Sequence, residues 1–195
     1  MANGGDENTP ASCMIDMQPT LVGPNVTLRP LRADDWDALY AIARDPLLWA
    51  GHPSSDRWQE PVFRTFFAEA LASGGALLAV ETGSGAAIGA SRFDTRRVAA
   101  GDIEIGWTFV ARANWGGTAN PAMKAMMLGH ALAGYARVVF LVGETNLRSQ
   151  RALEKIGAFP VDDGDTALAA QAIRHVVYAV DRTGFASGPL GRHLP

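Results

Sequence analysis

Val138-Val-Phe-Leu-Val142 is an unbroken apolar run, and a strand without polar alternation has to be covered on both faces. Upstream of it Met123, Met126, Met127, Ala131 and Gly134 recur at helical spacing, which marks a helix with a broad buried face. Before that helix, residues 103–110 read as a further strand. A strand, a buried helix and a doubly covered strand compose one right-handed βαβ unit. A chain built on it has parallel strands inside a sheet and helices on the sheet's faces.

The rest of the chain adds antiparallel strands and further helices. Residues 1–19 are rich in Gly, Asn, Asp, Thr and Pro without apolar period and read as a tail. A strand is expected over 26–31, then a helix capped by Asp34 or Asp35 and ended by Asp45-Pro46. Residues 47–59 hold Trp49, His52, Pro53 and Trp58 without a period, and Pro61 opens a helix to about 73. Runs at 76–81, 87–93 and 103–110 suit a meander. Asn120 is read as an N-cap with Pro121 at the first helical position. A helix over 147–156 stops at Gly157, and strands follow near 159–162 and 173–181, with an Ala-rich stretch between them that could be a helical turn. One domain over 20–185 and a tail over 186–195 complete the expected organisation, with no internal repeat.

Composition narrows the function. With 195 residues and 48% hydrophobic content the chain can bury one real core. A net charge of −3 gives no broad cationic surface, which argues against DNA as a partner. The apolar runs fall well short of the ~20 residues that span a bilayer, and no signal-peptide pattern opens the sequence. The single cysteine, Cys13, forms no internal disulfide and no Cys/His cluster suggests metal, so a reducing cytoplasm is expected.

Chemistry concentrates in a few residues. The link Gly116-Gly117-Thr118-Ala119 precedes a helix, where free backbone amides and the helix dipole favour an anion; a tight turn alone would also explain it. Lys124 opposes the dipole unless it faces a phosphate, and a solvated lysine is the other reading. Arg148 and Arg151 pose the same choice. Asn146 is an N-cap candidate, or an amide that hydrogen-bonds a cofactor arm on the lip of a cleft. Along 102–109, Ile103, Ile105, Trp107 and Phe109 alternate with Asp102, Glu104, Gly106 and Thr108. If helices cover both faces, enclosure raises the pKa of Glu104 towards that of a base useful near neutrality; otherwise it is a solvated strand glutamate. Gly106 marks a bulge or a packing constraint. His52, His130, His175 and His193 form no nucleophilic relay. His130 reads as a hydrogen-bonded core residue, and His52 as a residue that could touch the acceptor.

Taken together, these segments resemble the GNAT acetyltransferase superfamily, in the branch similar to ribosomal-protein alanine N-acetyltransferases. The resemblance rests on Leu21-Val-Gly23, Val26-Thr-Leu-Arg-Pro-Leu31, Asp34-Asp35, Ile88-Gly89, Glu104-Ile-Gly-Trp107, Trp115-Gly116 with Asn120-Pro121 and Lys124, and Asn146-Leu-Arg-Ser149 with Glu154-Lys-Ile-Gly157. It implies a mixed α/β fold: a twisted, mostly antiparallel sheet with a central splayed parallel pair and flanking helices. It also implies acetyl-coenzyme A as co-substrate, its diphosphate on the turn formed by Trp115, Gly116, Gly117, Thr118, Ala119 and Asn120, with Lys124, and its pantetheine past Asn146. Glu104 would act as base and Ser149 would hydrogen-bond the leaving sulfur, because Leu153 stands where many relatives carry tyrosine. Ala113 and Thr118 depart from the usual phosphate-loop pattern. Ala122 replaces a frequent glutamate, and the segment after Phe159 lacks the usual arginine. The acceptor would be a small-molecule amine or a protein N-terminal amine, and a non-catalytic acyl-coenzyme A binding or sensing module is the rival reading. An unpaired edge on the last strands would suit a homodimer.

Overall fold

The computed structural model describes residues 15–162 and 174–191. Its strands are β1 (Leu21–Val22), β2 (Val26–Pro30), β3 (Ala76–Glu81), β4 (Ala87–Asp94), β5 (Asp102–Val110), β6 (Arg137–Gly143), β7 (Phe159–Val161) and β8 (His175–Asp181). The helices are α1 (Trp36–Ala43), α2 (Pro46–Trp49), α3 (Glu60–Ala72), α4 (Ala119–Gly134), α5 (Leu147–Glu154) and α6 (Arg182–Ser187). The strands form one sheet in the order β1-β2-β3-β4-β5-β6-β8-β7. Every neighbouring pair is antiparallel except β5 and β6. That parallel pair is joined through α4, the crossover that the apolar run of β6 requires.

Two apolar layers hold the sheet. On one side Met123, Met127 and Leu128 of α4 pack with Ile103, Ile105, Val138 and Phe140. On the other Phe63, Phe66 and Phe67 of α3 pack with Leu39, Trp49, Leu78 and Phe109. Burial of each such large side chain contributes roughly 1.5–3 kcal/mol.

The position of the cleft follows from register. Pairing between β5 and β6 runs from Asp102↔Arg137 to Glu104↔Val139 and then stops, although both strands continue. On the opposite edge of β5, Ala90 pairs with Phe109 and Arg92 with Gly106, so Trp107 and Thr108 together face Ser91. This is a β-bulge, and it places Trp107 at a φ of 51°. The bulge also corrects the strict alternation expected over 102–109. Ile103 and Ile105 join the α4 layer, whereas Trp107 and Phe109 join the α3 layer, because one extra residue inverts the parity of every side chain beyond it.

Other boundaries differ in explicable ways. Helix α4 begins at Ala119 after Thr118, which places Asn120-Pro121 inside the first turn rather than at the cap; proline is tolerated there because the first-turn amides have no intrahelical acceptor. Asp45 accepts from Leu47 N at 3.0 Å and so starts the short α2 in a segment read as irregular. Ile15 and Met17, within the expected N-terminal tail, pack against the α4 layer, and His130 Nε2 donates to Asp16 O at 2.7 Å. At the other end α6, capped by Asp181, carries the chain to Leu190, which is 4% exposed in the core although it falls in the expected tail. The remainder of the N-terminal stretch, the Ala-rich segment after 162 and residues 192–195 lie outside the described residues. Among the described residues no helix is long and apolar enough to cross a membrane.

Candidate active site

Beyond Glu104 the diverging β5 and β6 bound a cleft of about 280 Å³. Trp107 and Thr108 line it from β5, Phe140 and Val142 from β6, and Lys124 from α4 beneath. The turn that follows α2 closes one side: Pro53 Cγ lies 2.5 Å from where a Cβ on Gly143 would stand, so glycine at the end of β6 lets that turn seat.

Glu104 is 0% exposed and sits where the strands part. Its carboxylate accepts two hydrogen bonds from Arg97, Nη2 to Oε1 at 2.6 Å and Nε to Oε2 at 3.1 Å. Burial raises its proton affinity above that of an ordinary glutamate, and the Arg97 guanidinium offsets only part of that rise. Arg97 in turn lies 4.3 Å from the centroid of the Trp107 ring. The bulge therefore supports the residue that orients the carboxylate. Neither Arg97 nor the positive φ of Trp107 stands out in the sequence; Gly106, beside them, is the nearest visible trace.

The structure turns Lys124 inward. It is 4% exposed and donates to Thr108 Oγ1 at 2.8 Å, with the ammonium 5.1 Å from the Phe140 centroid. Thr108 Oγ1 is also 2.7 Å from Ser91 Oγ. Burial lowers the lysine pKa to about 7, with Glu104 acting in the opposite sense. A lysine held in the cleft floor does not stand at the exposed turn, so the expectation of a phosphate-facing cation there gives way to a cation inside the cleft. Spacing could not reveal this, because it depends on the gap that opens between β5 and β6 above α4.

The turn itself is accessible. Gly116, Gly117 and Thr118 are exposed, Gly116 has a φ of 72°, and among the described residues their amides donate to no protein acceptor. They precede the 16-residue α4, whose dipole adds positive potential. This combination fits a diphosphate. Trp115 is half-exposed, Ala119 is buried in the core, and Asn120 reaches the cleft wall.

Asn146 is 7% exposed, caps α5 by accepting from Ser149 N at 3.2 Å, and lines the cleft. Ser149 also lines the cleft. Arg148 stacks on Trp115 at 4.1 Å and donates to Leu48 O at 3.2 Å, which ties the exposed turn to the segment after α1. His52 and His175 line the cleft. The pKa of His52 is lowered to about 4 by burial and by Arg57, so its ring is neutral at pH 7. His193 lies outside the described residues.

Residues 25–158 match the family model of the acetyltransferase (GNAT) domain. Among solved structures, a probable GNAT-family acetyltransferase from Chromobacterium violaceum ATCC 12472 superposes with a TM-score of 0.75 at 19% identity, covering 96% of this chain and 100% of its own. A GCN5-related N-acetyltransferase from Brucella melitensis gives 0.73 at 19%, over 90% and 83%. RimJ from Mycobacterium smegmatis, solved in complex with CoA-disulfide, gives 0.66 at 19%, over 92% and 95%. At these identities the likeness is one of fold. No curated protein sequence matches the chain.

Proposed function

We propose, since the chain belongs to the GNAT acetyltransferase family, whose general reaction is acetyl transfer, that it moves an acetyl group from acetyl-coenzyme A to a primary amine by direct transfer in a ternary complex. The acceptor is a small-molecule amine or a protein N-terminus. One observation carries this reading: a buried carboxylate of raised proton affinity, Glu104, stands at the head of the fork between β5 and β6.

An attacking ammonium has to lose a proton and a departing thiolate has to gain one. Glu104 takes the first proton, directly or through a water, and Arg97 holds its carboxylate in one orientation. An α-amine, with a pKa of ~8, surrenders that proton more readily near neutrality than a lysine side chain at ~10.4. Past Glu104, β5 has no ladder partner on its β6 side among the described residues, which leaves backbone amides there for the acetyl carbonyl. The exposed amides after Trp115 suit the diphosphate, and Asn146 suits the pantetheine arm. RimJ, with this fold, was solved with a coenzyme A species, which supports the same class of donor here. Ser149 is the group we assign to the leaving sulfur. Lys124, with a pKa of about 7 in the cleft floor, is a second proton source for it. The single cysteine fits a reducing, cytoplasmic setting.

The test is thiol release from acetyl-coenzyme A across a panel of amines, with wild type beside Glu104→Gln. Amine-dependent release that drops sharply in the variant supports the proposal. Thermal stabilisation by acetyl-coenzyme A without release for any amine would make the protein a binding module instead. Release that is unchanged in rate and pH profile in Glu104→Gln would remove Glu104 from the base role.

A further inference from the structure

The side of the cleft formed by the turn after α2 brings hydrogen-bond donors face to face. Ser54 N donates to His52 Nδ1 at 2.9 Å. In a neutral imidazole that bond fixes the proton on Nε2. His52 Nε2–H then lies 3.4 Å from Arg57 Nη1, donor facing donor. Arg57 is otherwise held by aromatic faces, 4.6 Å from the Phe66 centroid and 5.6 Å from that of Trp49. Both His52 and Arg57 line the cleft.

A second guanidinium reinforces them. Arg92, on β4 opposite Gly106, is 3% exposed and lies 4.2 Å from the Trp107 centroid, with Nε and Nη2 buried and unbonded. Glu69, Asp56, Asp94 and Glu104 act on this pair from a distance, and none contacts it among the described residues. Glu104 is bound by Arg97 and Asp94 by Arg96, while Glu69 and Asp56 are exposed to solvent. Among the described residues neither Arg57 nor Arg92 forms an ion pair. Lys124 adds a further cationic group in the cleft floor. Buried guanidinium groups without a carboxylate are costly, and a partly enclosed wall strengthens their attraction for an anion.

We propose that the acceptor is a small primary amine bearing its own carboxylate, an amino-acid-like substrate whose carboxylate docks between His52 Nε2–H and Arg57, with Arg92 adding positive potential from behind Trp107. This rests on the acetyl-transfer reading above and names its substrate class. Polycationic amines are disfavoured, because the same wall repels them.

The experiment compares kcat/KM for a series of amino acids, their carboxamides and the corresponding decarboxylated amines, with acetyl-coenzyme A as donor, in wild type and Arg57→Gln. Wild type is expected to prefer the carboxylate by about ten- to hundredfold, the range of a charge-assisted contact, and that ratio collapses towards one in Arg57→Gln. Independently, saturation with an N-acetylated amino acid raises the His52 titration midpoint followed by NMR, because a neighbouring anion favours imidazolium. Carboxamides or decarboxylated amines used as well as carboxylates overturn this inference and leave acetyl transfer standing, as does a ratio that Arg57→Gln leaves untouched. Preference for a succinyl over an acetyl donor with neutral amines also overturns it. Absence of thiol release with every amine overturns both proposals.

Discussion

Glu104 and Gly106 share one space. A Cβ on residue 106 would stand 2.5 Å from Glu104 Oε1 and 3.2 Å from its carboxyl carbon, so the carboxylate occupies the volume that glycine vacates. Gly106→Ala therefore displaces the carboxylate from Arg97 without touching either apolar layer. The expected result is a fall of about tenfold or more in kcat/KM together with a loss of thermal stability from the broken Arg97–Glu104 pair, measured by steady-state kinetics and calorimetry. If the displacement is the cause, the same substitution in a Glu104→Gln background adds almost nothing, since the two act on one group.

With Glu104 as the proposed base, the acid limb of activity is expected to report it. A base works when deprotonated, and burial raises this carboxylate's pKa while Arg97 pulls it down. The kcat/KM profile is therefore expected to fall, as pH decreases, through a midpoint above the ~4.3 of an ordinary glutamate. Removing the guanidinium in Arg97→Met moves that midpoint further up. A limb that moves down, or stays fixed, would contradict the assignment.

Lys124 gives a stability signature of opposite sense. Its folded pKa, about 7, lies below the ~10.4 of an unfolded lysine. Between those values the unfolded chain binds more protons, so wild-type stability rises with pH across that window. Lys124→Met lacks the cost of burying an ammonium. It should melt several degrees above wild type at pH 6 to 7, with the gap narrowing towards pH 10, as followed by thermal denaturation at each pH.

The entry to α1 depends on Asp35, which accepts from Arg29 Nη1 at 2.8 Å, Arg29 Nη2 at 2.6 Å and Arg32 N at 2.8 Å. Burial pushes its pKa up, but these donors outweigh that and hold it below the ordinary value. Its contribution is therefore present above pH ~4 and lost as pH falls through the lowered folded pKa. Asp35→Asn is expected to cost about 1–3 kcal/mol at pH 7, a difference that shrinks in acid, as checked by urea denaturation at both pH values.

Gly116 tests the anion turn. At a φ of 72°, with open space where a Cβ would go, Gly116→Ala strains only the backbone, by roughly 1–2 kcal/mol. The expected outcome is a higher KM for acetyl-coenzyme A with kcat retained, and a smaller thermal shift on adding coenzyme A.

Much of the scaffold is legible in the residues. The Val138–Val142 run, the helical spacing of the methionines and Gly157 locate β6, α4 and the end of α5 because each obeys a local rule of covering, period or capping. Glu104 and Asn146 are legible as candidates for the same reason, whereas Ser149 enters only through the family resemblance. Arg97 and Arg57 are not. Each lies in a connection without period, and the group it faces, Glu104 or His52, is set by how that connection folds. Lys124 is legible as an oddity, a cation early in a helix, but its direction is not.

The sequence by itself determined the longer strands and helices, though not the short α2 and α6, because hydrophobic period and caps act within a few residues of one another. Only the tertiary structure decided where β5 leaves β6, how the bulge at Trp107 reverses the faces beyond it, and which charges then meet in the gap. Those outcomes come from register between segments far apart in the chain, and a shift of one residue in register exchanges the side chains of the two faces.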